Sequence, residues 1–434
     1  MSIRPCVRGL GRAGAAIALA GVLASGAGPG TGSGGGIEVL HSFTGNPDGE
    51  YPSTDLVLDE AGNLYGMAVL GGTYGSGAVF RLSPSKAGWN ETVLYSFTSG
   101  LDGGQPYGGV TLDAEGNLYG TAVVGGTYGN CPEDGCGVVW KLTRSPGDAW
   151  THSVIHDFDA VDGSGAGGPV VFDQLGNLYG MTPTGGPFGL GVVYQLAPKG
   201  PGAAWHYTMI HAFTGGDDGA TGSAGRLLVD EQQNVYGVAT VGGEHGVGTV
   251  FRISPSPGQG WTFTTLYSFQ GEPDGVFPYG GLVRDANGRF YGTTYYGGEH
   301  GDGTVFRLSQ RAAGWREEVL YSFTGEEDGA YPISHLVLGP NGSLYGTTSE
   351  DGAPGCSCGT LFQLSPPTSP LHALGKQSWT LQPLHAFEGA PDDGSYAYNG
   401  LVADAAGNLY GATVHGGEDD DGSVYRFTPP GPLR

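Results

Sequence analysis

The five-residue word GNLYG stands at 62–66 and returns unaltered at 116–120, 176–180 and 407–411. Looser spellings (QNVYG, GRFYG, GSLYG) complete a series whose tyrosines are Tyr65, Tyr119, Tyr179, Tyr236, Tyr291, Tyr345 and Tyr410, spaced 54 to 65 residues apart. A unit this short cannot bury an apolar face by itself, so copies at a near-fixed period commit the chain to an array or a closed ring. The copies run without a linker from about 37 to 428 of the 434 residues, so the length holds one repetitive domain where two or three would be usual.

One complete unit contains four short runs of strand composition, LVLD, NLYGMAV, AVFRL and ETVLYSF, each bounded by Gly, Pro, Asn or Asp. No segment sustains a 3.6-residue apolar period. Four-stranded antiparallel units at this period predict propeller blades, and runs that are apolar on both faces suit blades sandwiched between neighbours. The chain ends fix the closure. The fourth strand ends in Phe43, Phe97, Phe158, Phe213, Phe269, Phe323 and Phe387, yet the first of these precedes any first strand, and the last blade stops after its third, SVYRF. The expected fold is an all-β, seven-bladed propeller of four-stranded antiparallel blades, closed by the N-terminal strand pairing with the last blade, which removes an open edge.

Glycine is abundant at 86 residues, but aromatic and β-branched residues recur in phase, which a disordered chain lacks. Residues 1–27 carry Arg4, Arg8 and Arg12 before a short apolar run and small residues, the pattern of a signal peptide, the alternative being an uncleaved N-terminal anchor on a glycine-rich tether. A glycine-rich linker is expected over 28–36, the propeller over 37–428 and a tail over 429–434. The mature chain is then expected to be secreted or held in the cell envelope, monomeric and without a membrane span. The formal net charge of −24 excludes nucleic acid as a partner, since that needs a basic footprint. Cys131 and Cys136 close one small loop and are expected to form a disulfide. Cys356 and Cys358 would close a tight Cys-Ser-Cys ring, and their pairing is left open.

Most conspicuous residues fall into repeated slots and read as scaffold. Trp89, Trp150, Trp205, Trp261, Trp315 and Trp379 open the fourth strand, while Trp140 replaces a third-strand phenylalanine. His41, His156, His211 and His385 share a slot with Tyr95, Tyr267 and Tyr321. Arg81, Lys141, Arg252, Arg307 and Arg426 recur in the third strand as solvated or paired edge charges. The Asp-Gly pairs at Asp48, Asp102, Asp162, Asp218, Asp274, Asp328 and Asp393 read as turn chemistry.

Three groups escape the repeat. The position just before the first strand carries Asp55, Gly109, Pro169, Arg226, Gly281, His335 and Gly400. If the channel is narrow, Asp55, Arg226 and His335 converge as a ligand-binding funnel, or as an orienting carboxylate, a clamp and a base; the alternative is drift at an exposed position. GGEHG occurs twice, giving Glu244 and His245, then Glu299 and His300, and a divalent cation such as zinc is a candidate there. Glu418, Asp419, Asp420 and Asp421 form an acidic loop that is either solvated or a calcium site. Most acidic residues fall in the loops on this one face, which should attract cationic ligands or simply keep the protein soluble. Nucleophile-elbow, phosphate-loop, zinc-protease and dinucleotide motifs are missing from the sequence.

The words GNLYGTAVVGGTYG and GTVFRLSP…GW…VLYSFTG…DG closely resemble the GloVer family of bacterial tandem repeats, over essentially all of 37–428. The resemblance implies export, surface anchoring in some members, a propeller-like fold and no settled activity. The reading it supports is a non-catalytic binding or scaffold protein that uses its acidic loop face toward a ligand, a glycan or a surface protein. The alternatives are a metal-assisted lyase or hydrolase at the channel mouth, and a structural envelope protein.

Overall fold

The repeated word is a hairpin held by one carboxylate. In the first copy Asp59 Oδ1 accepts the Ala61 and Asn63 N–H groups, at 2.9 and 2.8 Å, while Oδ2 accepts Asn63 Nδ2 at 2.8 Å and the Tyr65 hydroxyl at 3.0 Å. Asp113, Asp173, Asp230, Asp285 and Asp404 repeat this role. The sixth copy has Gly339 instead and makes the bend with a 3-10 turn at Pro340–Gly342. The word therefore recurs because its aspartate, asparagine and tyrosine form one bonded unit that closes a two-strand turn.

The computed structural model describes residues 36–127, 131–200, 204–220, 225–367 and 378–429. The expected signal peptide, most of the linker and most of the tail lie outside these residues. In blade 1, strands A to D are Val57–Leu58, Leu64–Ala68, Ala78–Ser85 and Gly88–Ser96, in that spatial order. Blades 2 to 6 repeat the meander. In blade 7, strands A to C are Val402–Ala403, Leu409–Thr413 and Ser423–Thr428, and strand D is the N-terminal Gly36–Ser42. Ile37 pairs with Phe427 and Val39 with Tyr425, which closes the ring. Among the described residues there is no α-helix, and no helix is long and apolar enough to cross a membrane.

The core is divided among seven apolar clusters, one at each seam between neighbouring blades. Gly66 in strand B makes the close packing feasible: a β-carbon there would fall 2.6 Å from Phe80 Cζ and 2.7 Å from Leu56. At five seams the strand-D tryptophan packs on the preceding blade's strand-B tyrosine: Trp150 on Tyr65 at 6.4 Å, Trp205 on Tyr119 at 6.1 Å, Trp261 on Tyr179 at 6.1 Å, Trp379 on Tyr291 at 6.3 Å and Trp89 on Tyr410 at 6.2 Å.

The His/Tyr slot and the Asp-Gly slot, read separately in the sequence, are a single device. His41, His156, His211 and His385 meet Asp48, Asp162, Asp218 and Asp393 at 2.8 to 3.1 Å. Tyr95, Tyr267 and Tyr321 donate to Asp102, Asp274 and Asp328 at 2.8 to 2.9 Å. A β-bulge in every C–D ladder, between Val79 and Phe80 in blade 1, turns strand D so that this side chain reaches the loop aspartate. Each blade thus ties its outer strand to the loop that feeds the next blade.

Candidate functional site

An antiparallel meander puts the D–A and B–C loops of every blade on one face, and the chain enters each A strand from that face. The residues just before strand A therefore form a ring at the channel mouth. Blades 1, 4 and 6 contribute Asp55, Arg226 and His335; the blades that follow each of them contribute Gly109, Gly281 and Gly400. The glycines are seats. A β-carbon at 109 would lie 3.0 Å from Asp55 Cβ, one at 281 would lie 2.7 Å from the Arg226 carbonyl, and one at 400 would land on the His335 ring.

With this seating the three side chains converge across blades. His335 Nδ1 stands 3.2 Å from Asp55 Oδ2, and the Gly400 N–H donates to Asp55 Oδ1 at 2.8 Å. Burial alone would raise the Asp55 pKa, but the His335 ring, the Arg226 charge and the Gly400 N–H outweigh it and hold the carboxyl at about 2. Asp55 is therefore ionised at neutral pH. Its bond to Nδ1 orients the imidazole and leaves Nε2 without a protein partner among the described residues.

Above this charged floor lies an aromatic layer that the sequence reading missed by weighing only tryptophans. Two residues before the three seat glycines stand Tyr107, Tyr279 and Tyr398, in YGG, YGG and YNG. Tyr107 and Tyr279 are 46% and 40% exposed, large values for aromatic rings in this ring of blades. Burial, then Glu350, Tyr396 and Tyr279, push the Tyr398 hydroxyl up to about 12, and burial with Tyr107 raises that of Tyr279, so all three blades act on one shared space. The signal was present as the alternation of an ionisable residue with a Tyr-x-Gly triplet in the next blade.

A wider collar surrounds it. Tyr51, Gln105, Phe277, Tyr331 and Tyr396 occupy one slot of the D–A loop with φ between 50 and 58°, and blade 3 places Gly165 there at 69°. In each, the backbone N–H donates to the preceding blade's B–C loop: Tyr51 to Asp421 O, Phe277 to Val247 O and Tyr331 to Asp302 O at 2.9 Å. Left-handed backbone at a bulky residue costs about 1–3 kcal/mol where glycine would cost little, so four aromatic side chains here are an outlier that points to a role for the rings. They form two groups. Tyr331 stacks on Tyr295 at 5.0 Å, beside Tyr296 and Phe277; Tyr51 and Tyr396 flank His415 at 5.0 and 5.7 Å. Carboxylates crowd the same rim: burial and then Asp421 raise Glu50, and burial and then Asp351 raise both Glu350 and Asp302.

The residues singled out for a metal are not gathered into a cluster. Among the described residues no group of three or more His, Cys, Asp and Glu side chains could hold a cation. Glu244, His245, Glu299 and His300 stand exposed on separate loop tips, because a tight glycine turn directs them outward while the Glu244 N–H is spent on Ser268 Oγ at 2.9 Å. Glu418, Asp419 and Asp420 are exposed too, and Asp420 Oδ1 accepts the Gly416 N–H at 2.8 Å inside its own loop; Asp421 turns inward, where burial and its acidic neighbours raise its pKa. Cys131 and Cys136 are joined as a disulfide, and the sulfurs of Cys356 and Cys358 also meet.

A family model described as the Gloeobacter/Verrucomicrobia repeat matches residues 29–131, 131–326 and 310–433. No curated protein matches the sequence. Among solved structures, the chain is similar to a proposed 6-phosphogluconolactonase from Bacteroides uniformis ATCC 8492, with TM-score 0.47, 13% identity and coverage of 77% of this chain and 84% of that one. It is also similar to a Trichoderma reesei carbohydrate-active enzyme of family AA12, in a calcium structure, with TM-score 0.41, 13% identity and coverage of 92% and 96%. A Dyadobacter fermentans DSM 18053 protein of unknown function gives TM-score 0.43, 10% identity and coverage of 92% and 98%.

Proposed function

The chain belongs to the Gloeobacter/Verrucomicrobia repeat family, and from that premise we propose that it is an exported, monomeric, non-catalytic binding propeller whose channel mouth captures a cationic group on a surface component. The observation that carries this reading is the layered mouth: Tyr107, Tyr279 and Tyr398 above Asp55, Arg226 and His335. Tyrosine faces attract a cation or stack on the flat face of a sugar, and crowded rim carboxylates with raised pKa values gain when a positive charge arrives. Arg226 and Asp55 supply one donor and one acceptor for polar groups that reach the floor.

A second reading rests on the Asp55–His335 pair at 3.2 Å. A carboxylate-oriented imidazole beneath an aromatic mouth suits a base in a lyase or hydrolase. Among the described residues no serine, threonine or cysteine side chain is bonded to that imidazole, and binding accounts for more of the residues present.

Glycan and peptide arrays probed with the full chain test the proposal. Amine-bearing glycans or basic peptides should be retained, and the variant Tyr107→Ala/Tyr279→Ala/Tyr398→Ala should lose them while keeping its unfolding temperature. Retention by the triple variant equal to wild type would rule the mouth out. Turnover that depends on His335 would favour the second reading.

A further inference from the structure

One seam on the opposite face gathers positive charge. At the seam of blades 4 and 5, where the A–B and C–D turns emerge, a cavity of about 400 Å³ is lined by Arg252, Arg284, Arg289, Arg307 and Arg311, together with Tyr236 and Trp315. None of its lining residues is a carboxylate. Five arginines around one small space are unexpected in a chain of formal charge −24 with 18 basic residues in all.

Internal pairing does not consume them. Arg289 leans on Asp285 and Arg307 on Glu318, each at 2.6 Å, and Arg284 reaches Asp230 only at 3.8 Å. Arg252 and Arg311 have no acidic partner among the described residues; the buried Nε of Arg252 lacks an acceptor, as do those of Arg81, Arg307 and Arg426 in the same strand-C slot, so the missing acid and not that atom sets this seam apart. A guanidinium cannot shed its proton, so two charges without an acid beside three others leave this cavity open to an acceptor from outside. The equivalent seam between blades 1 and 2 shows what an internal acceptor looks like: Asp148, two residues before Trp150, binds Arg81 at 2.7 Å and Arg144 at 3.2 Å. Two residues before Trp315 stands Ala313, exposed and without an acid.

We propose that this cavity is a binding site for a phosphate or sulfate ester, the external counterpart of Asp148. The planar forks of Arg252 and Arg311 grip the tetrahedral oxyanion, and Arg284, held over the Tyr236 ring at 5.9 Å, completes the shell. The volume exceeds what a bare ion needs, and Trp315 with Tyr236 provides apolar wall for a carrier of about sugar size. This site is independent of the channel mouth and of the ligand proposed there.

Calorimetric titration of the full chain at constant ionic strength tests it, with glucose 6-phosphate, glucose 6-sulfate, inorganic phosphate and inorganic sulfate as probes and glucose as the uncharged control. At least one ester should bind more tightly than its inorganic ion, and glucose should not bind. The preferred ester identifies the source of the oxyanion. Arg252→Ala and Arg311→Ala should each lower affinity at least tenfold. Ala313→Asp, which introduces the missing internal acid, should do the same without lowering the unfolding temperature. Binding unchanged in all three variants, glucose binding equal to the esters, or no binding by any probe would overturn the assignment.

Discussion

The seam between blades 1 and 2 and the seam between blades 4 and 5 are built from the same parts to opposite electrostatic ends. In both, a strand-C arginine stands across from the strand-B tyrosine of its own blade, Arg81 opposite Tyr65 and Arg252 opposite Tyr236. In both, a strand-D tryptophan of the following blade closes the apolar contact. The first seam then adds Asp148, which pairs with two arginines; the second adds Arg311 and no such acid, leaving Arg252 and Arg311 without an acidic partner among the described residues. Each seam has an apolar cluster of its own, so burial is available to join the blades with or without the ion pair. Both proposed sites lie where the chain departs from its repeated pattern, at the seam of blades 4 and 5 and at the mouth, where Asp55, Arg226 and His335 break a series of small residues.

The strongest test of the equivalence of the two seams removes what they share. Trp150→Ala and Trp315→Ala should each destabilise the fold by about 2–4 kcal/mol, less than for a fully buried tryptophan because both are half-exposed. Urea denaturation followed by circular dichroism measures this, and a loss confined to one variant would show that the seams are not mechanically alike. Trp315→Ala should in addition weaken ester binding, whereas Trp150→Ala should not.

A smaller effect separates charges that are paired from charges that are not. Asp55 titrates at about 2 in the folded chain, below its unfolded value, so its stabilisation is complete above about pH 4 and is lost as pH falls toward 2. Removing His335 takes away the largest of the opposing interactions. His335→Ala should therefore lose on the order of 1 kcal/mol at neutral pH and show a shallower decline of stability from pH 4 to 2. An acid limb identical to wild type would mean that the pair does not stabilise the mouth. Arg252→Ala, by contrast, should leave the acid limb unchanged.

The ring, its seven sectors and its closure were legible because each depends on local words: the DxxGNLY hairpin, the tryptophan slot, the spare strand at the N-terminus. The convergence of Asp55, Arg226 and His335 was legible as well, since closure brings equivalent positions of every blade to one axis. The arginine cavity was not, although Arg252 and Arg307 were noted as strand-C charges. Its other arginines, Arg284, Arg289 and Arg311, come from a hairpin and a turn of blade 5, and only the lateral contact of two blades brings them together. The tyrosine layer was hidden for another reason: Tyr107, Tyr279 and Tyr398 stand two residues before the aligned slot, in only three of the seven copies, and their meaning appears only when the ring brings those copies to one mouth. For GGEHG and GEDDDG the sequence offered residue type and spacing, which say nothing about whether exposed loop tips face one another; among the described residues no group of three or more such side chains comes together.

The smallest expected effect is also the one that joins the two seams in a single experiment. Asp148→Ala should convert the first seam toward the second, leaving Arg81 and Arg144 without their acid. Asp148 is 40% exposed and Arg144 43%, so solvent screens the pair, and the loss of stability should not exceed about 1 kcal/mol. What should change is affinity. Two freed guanidinium groups beside Trp150, over which Arg144 already lies at 5.8 Å, form a partial copy of the blade 4–5 cavity and should take glucose 6-phosphate weakly where the wild-type seam takes none. Chemical-shift perturbation of the Trp150 indole in the Arg252→Ala/Asp148→Ala background reads this directly, since the native cavity is then disabled. Perturbation that appears only with Asp148 removed would establish that one carboxylate decides between a closed seam and a binding seam. No perturbation would mean that the third, fourth and fifth arginines of the native cavity are required, and that charge number rather than the missing acid makes the site.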